Sequence, residues 1–331
     1  MREVPCLAAL VLALLARSAA VAADLRILIP LYADPQWYNP PAYVWDDVAA
    51  AGTNVPIVAI INPENGPGAG FPNADYVHGM NDLNAGGVTM LGYVYSSYGA
   101  RATSVIRADI DAYSSNALIR GIFVDEVASS TNFVGYYADV YAYIHSKSNM
   151  ATVVLNPGTH LAEEYVSRPA GDVAVLFEND AGWAGYVPDP YVAHYPASRF
   201  AVLSYDVATA DGMRTNVDLA VQRNAGWIYV TDRAGANPWD GIPSYWQQLV
   251  EWVAAYRRVR ATAIAADSQA ARVSFQTLSN RPYRIESATN LLASAAWTSL
   301  TATAVSTSNV VQACDTNTSV SAKYYRLRLF P

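Results

Sequence analysis

TMLGYVYSSYGARATSVIRADIDAYSSNALIRGIFVDEV, residues 89–127, holds one full period of the pattern that decides the fold. Thr89–Tyr95 is a short apolar and aromatic run of the length expected for a buried strand. Ala100–Ser114 then repeats its apolar residues at helical spacing, and Ile119–Val124 is a second apolar run. Strand, helix and strand, with both strands apolar throughout, read as a right-handed crossover between parallel neighbours. The second run ends on two adjacent acids, Asp125 and Glu126. A carboxylate costs several kcal/mol to bury unpaired, so a buried strand that finishes on two of them points to a use for the charge.

The same beat continues outward in both directions. Leu25–Leu31, Pro56–Ile61, Ala151–Leu155, Asp172–Phe177, Phe200–Tyr205 and Gly226–Thr231 bring the apolar runs to eight, and helical periodicity returns in Phe133–Ser146 and Asp211–Asn224. Eight such units within residues 23–260 predict an α/β fold, a (β/α)8 TIM-like barrel, whose usual length is about 250 residues. A doubly wound open sheet has less support. No G-x-G-x-x-G follows the first run, and the GPGAG at Gly66–Gly70 lacks the Lys-Ser/Thr of a phosphate loop.

Both ends of the chain differ from this middle. Residues 1–22 carry Arg2, an apolar run from Val4 to Ala16 and the small-residue sequence Ala20-Val21-Ala22, the signature of a secretory signal peptide cleaved after Ala22. Its apolar run is shorter than the roughly 20 residues that a bilayer span needs. The expectation is a secreted, extracellular protein with no membrane association after cleavage. Cys6 leaves with the signal, and Cys314 then has no partner for an intramolecular disulfide. Residues 261–271, ATAIAADSQAA, read as a small-residue linker. Residues 272–331 alternate and are rich in Val, Thr and Tyr, which predicts five short strands of a C-terminal all-β, sandwich-like domain.

Composition narrows the partners. The 331-residue chain is 52% hydrophobic and only 15% charged, with a formal charge of −7, so it can build a large core but offers no clustered Lys and Arg for a phosphate backbone. Nucleic acid is excluded as a partner, and an uncharged or cationic sugar fits. With 23 Tyr and 8 Trp the chain is well supplied with flat faces for sugar rings. His78, His145, His160 and His194 show no zinc-binding spacing, and no G-x-S-x-G is present. Neither a metal nor a cofactor is expected.

In a barrel of this kind the active site sits at the C-terminal ends of the strands. Those ends carry Tyr32, Asn62, Tyr93 with Tyr95, Asp125 with Glu126, Asn156, and Glu178 from VLFEND. Asp125 and Glu178 would face a shared space from the fourth and sixth strands. A pair of carboxylates on a sugar-sized cleft is the equipment of glycoside hydrolysis, one protonating the leaving oxygen and one acting as nucleophile or base. Asp125, Glu178 and Glu126 are therefore the expected catalytic residues. Asp125 is the expected nucleophile, Glu178 the acid/base and Glu126 a neighbour that adjusts charge, although the first two roles are interchangeable at this level. Retention and inversion both remain open. Tyr32, Asn62, Tyr93, Tyr95 and Asn156 are the expected substrate contacts. His194, in VAHYP, joins them, as a structural rather than a catalytic histidine.

Several segments closely resemble the spherulin-4 family: LIPLY at Leu28–Tyr32, INPENGPG at Ile61–Gly68, LNAGGVTMLGYVYSSYG at Leu83–Gly99, GIFVDEV at Gly121–Val127, VLNPGT at Val154–Thr159, VLFEND at Val175–Asp180 and PSYWQQLV at Pro243–Val250. The resemblance covers Leu25–Tyr256. It implies a (β/α)8 barrel and a secreted endo-acting glycoside hydrolase that cuts α-1,4-linked N-acetylgalactosamine in microbial exopolysaccharide, acting as a monomer. By the same resemblance Asp125 and Glu126 fall on the family's Asp-Glu pair, Glu178 on its later acid and Tyr93 on its cleft. AGWAGYVPDPYVAHYPASR, between Glu178 and the seventh strand, is insertion-like and departs from the family pattern. A polysaccharide-binding barrel without catalysis, or a structural matrix or coat protein, is the alternative to an enzyme.

Overall fold

The computed structural model describes residues 25–40, 43–258, 260–266, 270–278, 281–289, 297–317 and 323–329. The proposed signal segment, residues 1–22, lies outside them. Eight parallel strands, β1 (Arg26–Leu31), β2 (Ile57–Ile61), β3 (Thr89–Tyr95), β4 (Ile119–Asp125), β5 (Thr152–Leu155), β6 (Val173–Asn179), β7 (Phe200–Ser204) and β8 (Trp227–Val230), pair in chain order. The ring closes where Ile27 of β1 registers with Ile228 of β8. Every residue of β2, β7 and β8 is buried, as expected of strands covered on both faces.

Helices α1 (Val44–Gly52), α2 (Ala74–Ala85), α3 (Thr103–Ser114), α4 (Val134–His145), α5 (Glu164–Ser167), α6 (Ala210–Gln222) and α7 (Trp246–Arg257) follow seven of the strands. Local sequence sets their starts and faces. Asn73 caps α2 by accepting the Tyr76 N–H at 3.0 Å, and Thr209 caps α6 by accepting that of Gly212 at 3.1 Å. Ile106, Ile110 and Tyr113 form the buried stripe of α3, one helical turn apart. The unit after β6 departs from the pattern. Its helix is replaced by three 3₁₀ turns, Trp183–Gly185, Pro190–His194 and Ala197–Arg199. This is the insertion-like stretch, whose prolines and glycines suit short turns and interrupt an α-helix.

The chain divides into a unit over Arg26–Val253 and a second one that includes Ala254–Pro331. The second is built on β9 (Arg260–Ala266), β10 (Ala271–Gln276), β11 (Arg281–Ala288), β12 (Thr298–Ser299), β13 (Ala304–Ser306), β14 (Val310–Asp315) and β15 (Tyr324–Leu329). They form two antiparallel sheets, one in the order β14-β10-β9 and one centred on β11. Val273, Phe275 and Val311 of the first sheet share a core with Ile285 and Tyr325 of the second. The expected linker at 261–271 is corrected here, because β9 occupies most of it and pairs with β10. Ile264 is the one β9 side chain packed on that core, so the strand lacks the alternation that marks a half-buried strand in sequence. The expected five strands become seven, since AWTSLTATAVST splits into β12 and β13 and β9 is added.

Two glycines give opposite outcomes on addition of one methyl group. At Gly121, in β4, a Cβ would lie 1.9 Å from the Thr152 carbonyl oxygen of β5, whereas at Gly135, in α4, nothing lies within 4 Å. Gly121→Ala is expected to lower stability by about 3 kcal/mol or more, at the upper end of overpacking effects. Gly135→Ala is expected to leave it unchanged or to raise it by a few tenths of a kcal/mol through helix propensity. Urea unfolding followed by circular dichroism checks both.

Candidate active site

The ends of β4, β5 and β6 bring three polar side chains together. Asn156, the first residue after β5, is 1% exposed, and its amide nitrogen donates to Asp125 Oδ1 at 2.8 Å and to Glu178 Oε2 at 2.5 Å. One nitrogen thus bridges two carboxylates. The sum of the two distances, 5.3 Å, is the largest separation these two oxygens can have. The register of β6 against β7 shifts between Val175 and Phe177, just before Glu178. A bulge of this kind re-aims the side chain that follows it.

The two carboxylates have different surroundings. Asp125 accepts three hydrogen bonds, from the Tyr93 hydroxyl to Oδ2 at 2.8 Å and from Asn156 and the Glu126 N–H to Oδ1 at 2.8 Å each. Donors to a carboxylate favour its ionised form. Among the described residues, Glu178 accepts only the Asn156 bond. Burial, and then the charge of Asp125, push its carboxyl up to about 7, against the Asn156 hydrogen bond that pulls it down. Near pH 6 Glu178 therefore keeps its proton. Tyr93 and Tyr32 stand beside them with ring centroids 5.7 Å apart, edge to face. Burial and the charge of Asp125 raise both hydroxyls, which stay neutral donors.

Backbone strain holds Asp125 in place. Glu126 has φ 52°, a left-handed conformation that non-glycine residues seldom adopt, and its N–H donates to Asp125 Oδ1 at 2.8 Å. The loop after β3 secures the turn. Ser96 N–H donates to the Asp125 carbonyl at 3.0 Å, while Ser96 Oγ and the Tyr98 N–H donate to the Glu126 carbonyl at 2.8 and 2.7 Å. Ser97 and Tyr98 are themselves left-handed, with φ 47° and 54°. Tyr137 of α4 joins the same network, with its hydroxyl 2.8 Å from Ser96 Oγ and accepting the Ala128 N–H at 2.8 Å. Ser96 and Tyr137 are fully buried, and neither stands out in the sequence as part of a site.

Of the nine expected site residues, Asp125, Glu126, Glu178, Asn156, Tyr93 and Tyr32 come together. Tyr93, Asp125, Asn156 and Glu178 are joined by side-chain hydrogen bonds, Glu126 through its backbone and Tyr32 by ring contact with Tyr93, whereas Asn62, Tyr95 and His194 do not join this cluster. Asn62 Oδ1 accepts the Gly66 N–H at 2.9 Å and so closes its own loop. The Tyr95 ring lies under the Arg101 guanidinium, 4.0 Å from its centroid. His194 is exposed and lines a separate cleft with His160 and Tyr191. Among the described residues, no three His, Cys, Asp or Glu side chains are grouped to hold a metal ion.

Residues 26–253 match Spherulation-specific family 4. The chain belongs to this family. Spherulin-4 of Physarum polycephalum is 36% identical to it over 236 residues, which are 68% of this chain and 68% of that protein. Among solved structures, Sph3 of Aspergillus clavatus, determined in complex with GalNAc, superposes with a TM-score of 0.60 at 25% identity, covering 71% of this chain and 99% of Sph3. The family match falls on the barrel that carries Asp125, Asn156 and Glu178. None of the described helices in this spherulin-4 family chain is long and apolar enough to cross a membrane.

The raised Glu178 carboxyl has a consequence for stability. A carboxyl whose value is higher in the folded than in the unfolded protein favours folding fully below the unfolded value, 4.5, and loses that contribution as pH rises through the folded value, about 7. Relative to Glu178→Gln, the wild type should lose up to about 3 kcal/mol between those limits, at 1.36 kcal/mol per pH unit, and less where the accessible edge of Glu178 is solvated. Above pH 8 the difference should be constant, with the variant the more stable. Paired denaturation curves from pH 4 to 8 measure it.

Proposed function

We propose that the protein is a secreted retaining endo-glycoside hydrolase that cleaves α-1,4-linked N-acetylgalactosamine in an exopolysaccharide. One observation carries this: a single Asn156 nitrogen spans Asp125 and Glu178 at 2.8 and 2.5 Å, with the first carboxylate triply hydrogen-bonded and the second pushed up to about 7. Two acids at one site with their values set apart are what acid/base glycosidic cleavage requires. A barrel that only held polymer, or a structural coat protein, has no use for a half-protonated pair. The likeness to Sph3, whose structure holds GalNAc, supports the sugar class. Segment 1–22, read as a signal peptide, supports export.

In an α-linked 2-acetamido sugar the leaving oxygen and the acetamido group lie on the same side of the ring, so the acetamido oxygen cannot attack from behind. Asp125 supplies the nucleophile instead. Glu178 gives its proton to the glycosidic oxygen while Asp125 Oδ attacks the anomeric carbon. The bond to the leaving sugar breaks, and a glycosyl ester forms on Asp125. Glu178, now ionised, takes a proton from water, whose oxygen attacks the same carbon and releases Asp125. The facing oxygens, Asp125 Oδ1 and Glu178 Oε2, lie no more than 5.3 Å apart, which supports the closer spacing of a double displacement, about 5–5.5 Å between carboxyl groups, over the roughly 6.5–9.5 Å of an inverting pair. The Tyr93 hydroxyl holds Asp125 Oδ2, and Tyr32 packs edge to face on the Tyr93 ring.

Asp125→Asn and Glu178→Gln are each expected to reduce cleavage of α-1,4-N-acetylgalactosamine oligomers by about a thousandfold or more, with the fold intact by circular dichroism. The product first released by the wild type should be the α-anomer by proton NMR. Its rate should fall above about pH 7 as Glu178 loses its proton. Full activity in either variant, or a β-anomeric first product, contradicts the assignment.

A further inference from the structure

The loops after β4, β5 and β6 bear Asp125, Asn156 and Glu178 at their starts, and farther out they border a second, open cleft of about 620 Å³. Ser129 contributes from the first loop, His160 to Glu163 from the second, and Asp189, Pro190, Tyr191 and His194 from the third. Ser129 and His160 each stand four residues beyond Asp125 and Asn156, which places them within about 14 Å along the chain. That is the reach of a few sugar units. The volume falls within the roughly 300–1,000 Å³ of small-molecule sites.

The wall contributed by the third loop is the one that replaces the missing helix, and it is fastened in several places. Tyr191 OH donates to the Leu161 carbonyl at 2.7 Å, Tyr195 OH to Glu163 Oε1 at 2.9 Å, and Asn224 Nδ2 to the Val192 and Tyr195 carbonyls at 2.7 and 2.8 Å. His160 Nδ1 lies 2.9 Å from Asp189 Oδ2, with its ring stacked on Tyr186. A cleft held this way is formed before a ligand arrives, which reduces the ordering that binding must oppose. Its floor is apolar, with buried Leu161 and Tyr191, and its edges carry imidazoles, a hydroxyl and the carboxylates of Glu163 and Asp189. Apolar floor and hydrogen-bonding edge match the two faces of a sugar ring. No Lys or Arg lines it, so an acidic sugar meets only like charge.

We propose that this cleft is a distal subsite, which holds uncharged or amino-bearing sugar units of the same chain whose scissile bond lies between Asp125 and Glu178. The subsite rests on the glycosidase function proposed above. It is tested by filling the cleft from two walls, with Ala162→Trp and Ser129→Trp in the full-length protein, and comparing short with long α-1,4-N-acetylgalactosamine oligomers. In the wild type kcat/KM should rise with oligomer length. Both variants should retain cleavage of the shortest oligomer that is cut and lose roughly tenfold or more on the long ones, chiefly in KM, one decade being about 1.4 kcal/mol of binding. Wild-type length dependence in both folded variants overturns the subsite and leaves the catalytic assignment standing. If the wild type cuts nothing, the catalytic assignment fails and calorimetric binding of the same long oligomers decides the subsite: tenfold weaker binding in Ala162→Trp supports it, and unchanged binding overturns it. De-N-acetylated oligomers and an oligouronate complete the comparison. The first should bind as well as or better than the acetylated chain, and an oligouronate that bound equally well would contradict the proposal.

Discussion

The amide nitrogen of Asn156 is placed where two carboxylates need it. Without it, Asp125 and Glu178 would face each other across a cleft with repulsion unrelieved, and such a pair tends to share a proton with no fixed assignment. With it, the carboxylates differ by their remaining donors. Asp125 also has Tyr93 and the Glu126 N–H, while Glu178 has burial and the neighbouring charge. The asymmetry, more than the presence of two acids, distinguishes an acid from a nucleophile.

That asymmetry depends on backbone geometry some distance away. The Glu126 N–H donates to Asp125 from a turn in which Glu126 is left-handed, and that conformation persists because the loop after β3 binds the carbonyls on either side of it. Ser96 does so from a fully buried position backed by Tyr137 of α4. Local strain of this kind costs on the order of 1–3 kcal/mol and survives where the surroundings over-determine it. The path from α4 through Ser96 to the Asp125 carboxylate thus links helix packing to proton placement.

Much of this was legible in the sequence because burial on both faces leaves a plain signature. Each barrel strand is a short apolar run, and Asp125 and Glu178 stand out because such runs end on them. The bridging role of Asn156 was not legible. It depends on the closure that brings the ends of β4, β5 and β6 together, and in sequence Asn156 is only one polar strand end among several. Asn62 and Tyr95 have the same sequence signal, yet one closes its own loop and the other packs under Arg101. Ser96 follows an aromatic strand end with no pattern to mark it. β9 carries no strand signature, because Ala and Thr with one inward Ile read as a linker and only pairing with β10 makes them a strand.

The central claim is that Glu178, bridged to Asp125 by Asn156, keeps its proton up to near neutrality. Difference infrared spectroscopy of the carbonyl stretch of protonated carboxyl groups tests it without a substrate. A protonated-carboxyl band should persist at pH 6, disappear with a midpoint near 7, survive in Ser129→Trp and be absent from Glu178→Gln. A band missing at pH 6 in the wild type, or one still titrating near 7 in Glu178→Gln, would contradict the account.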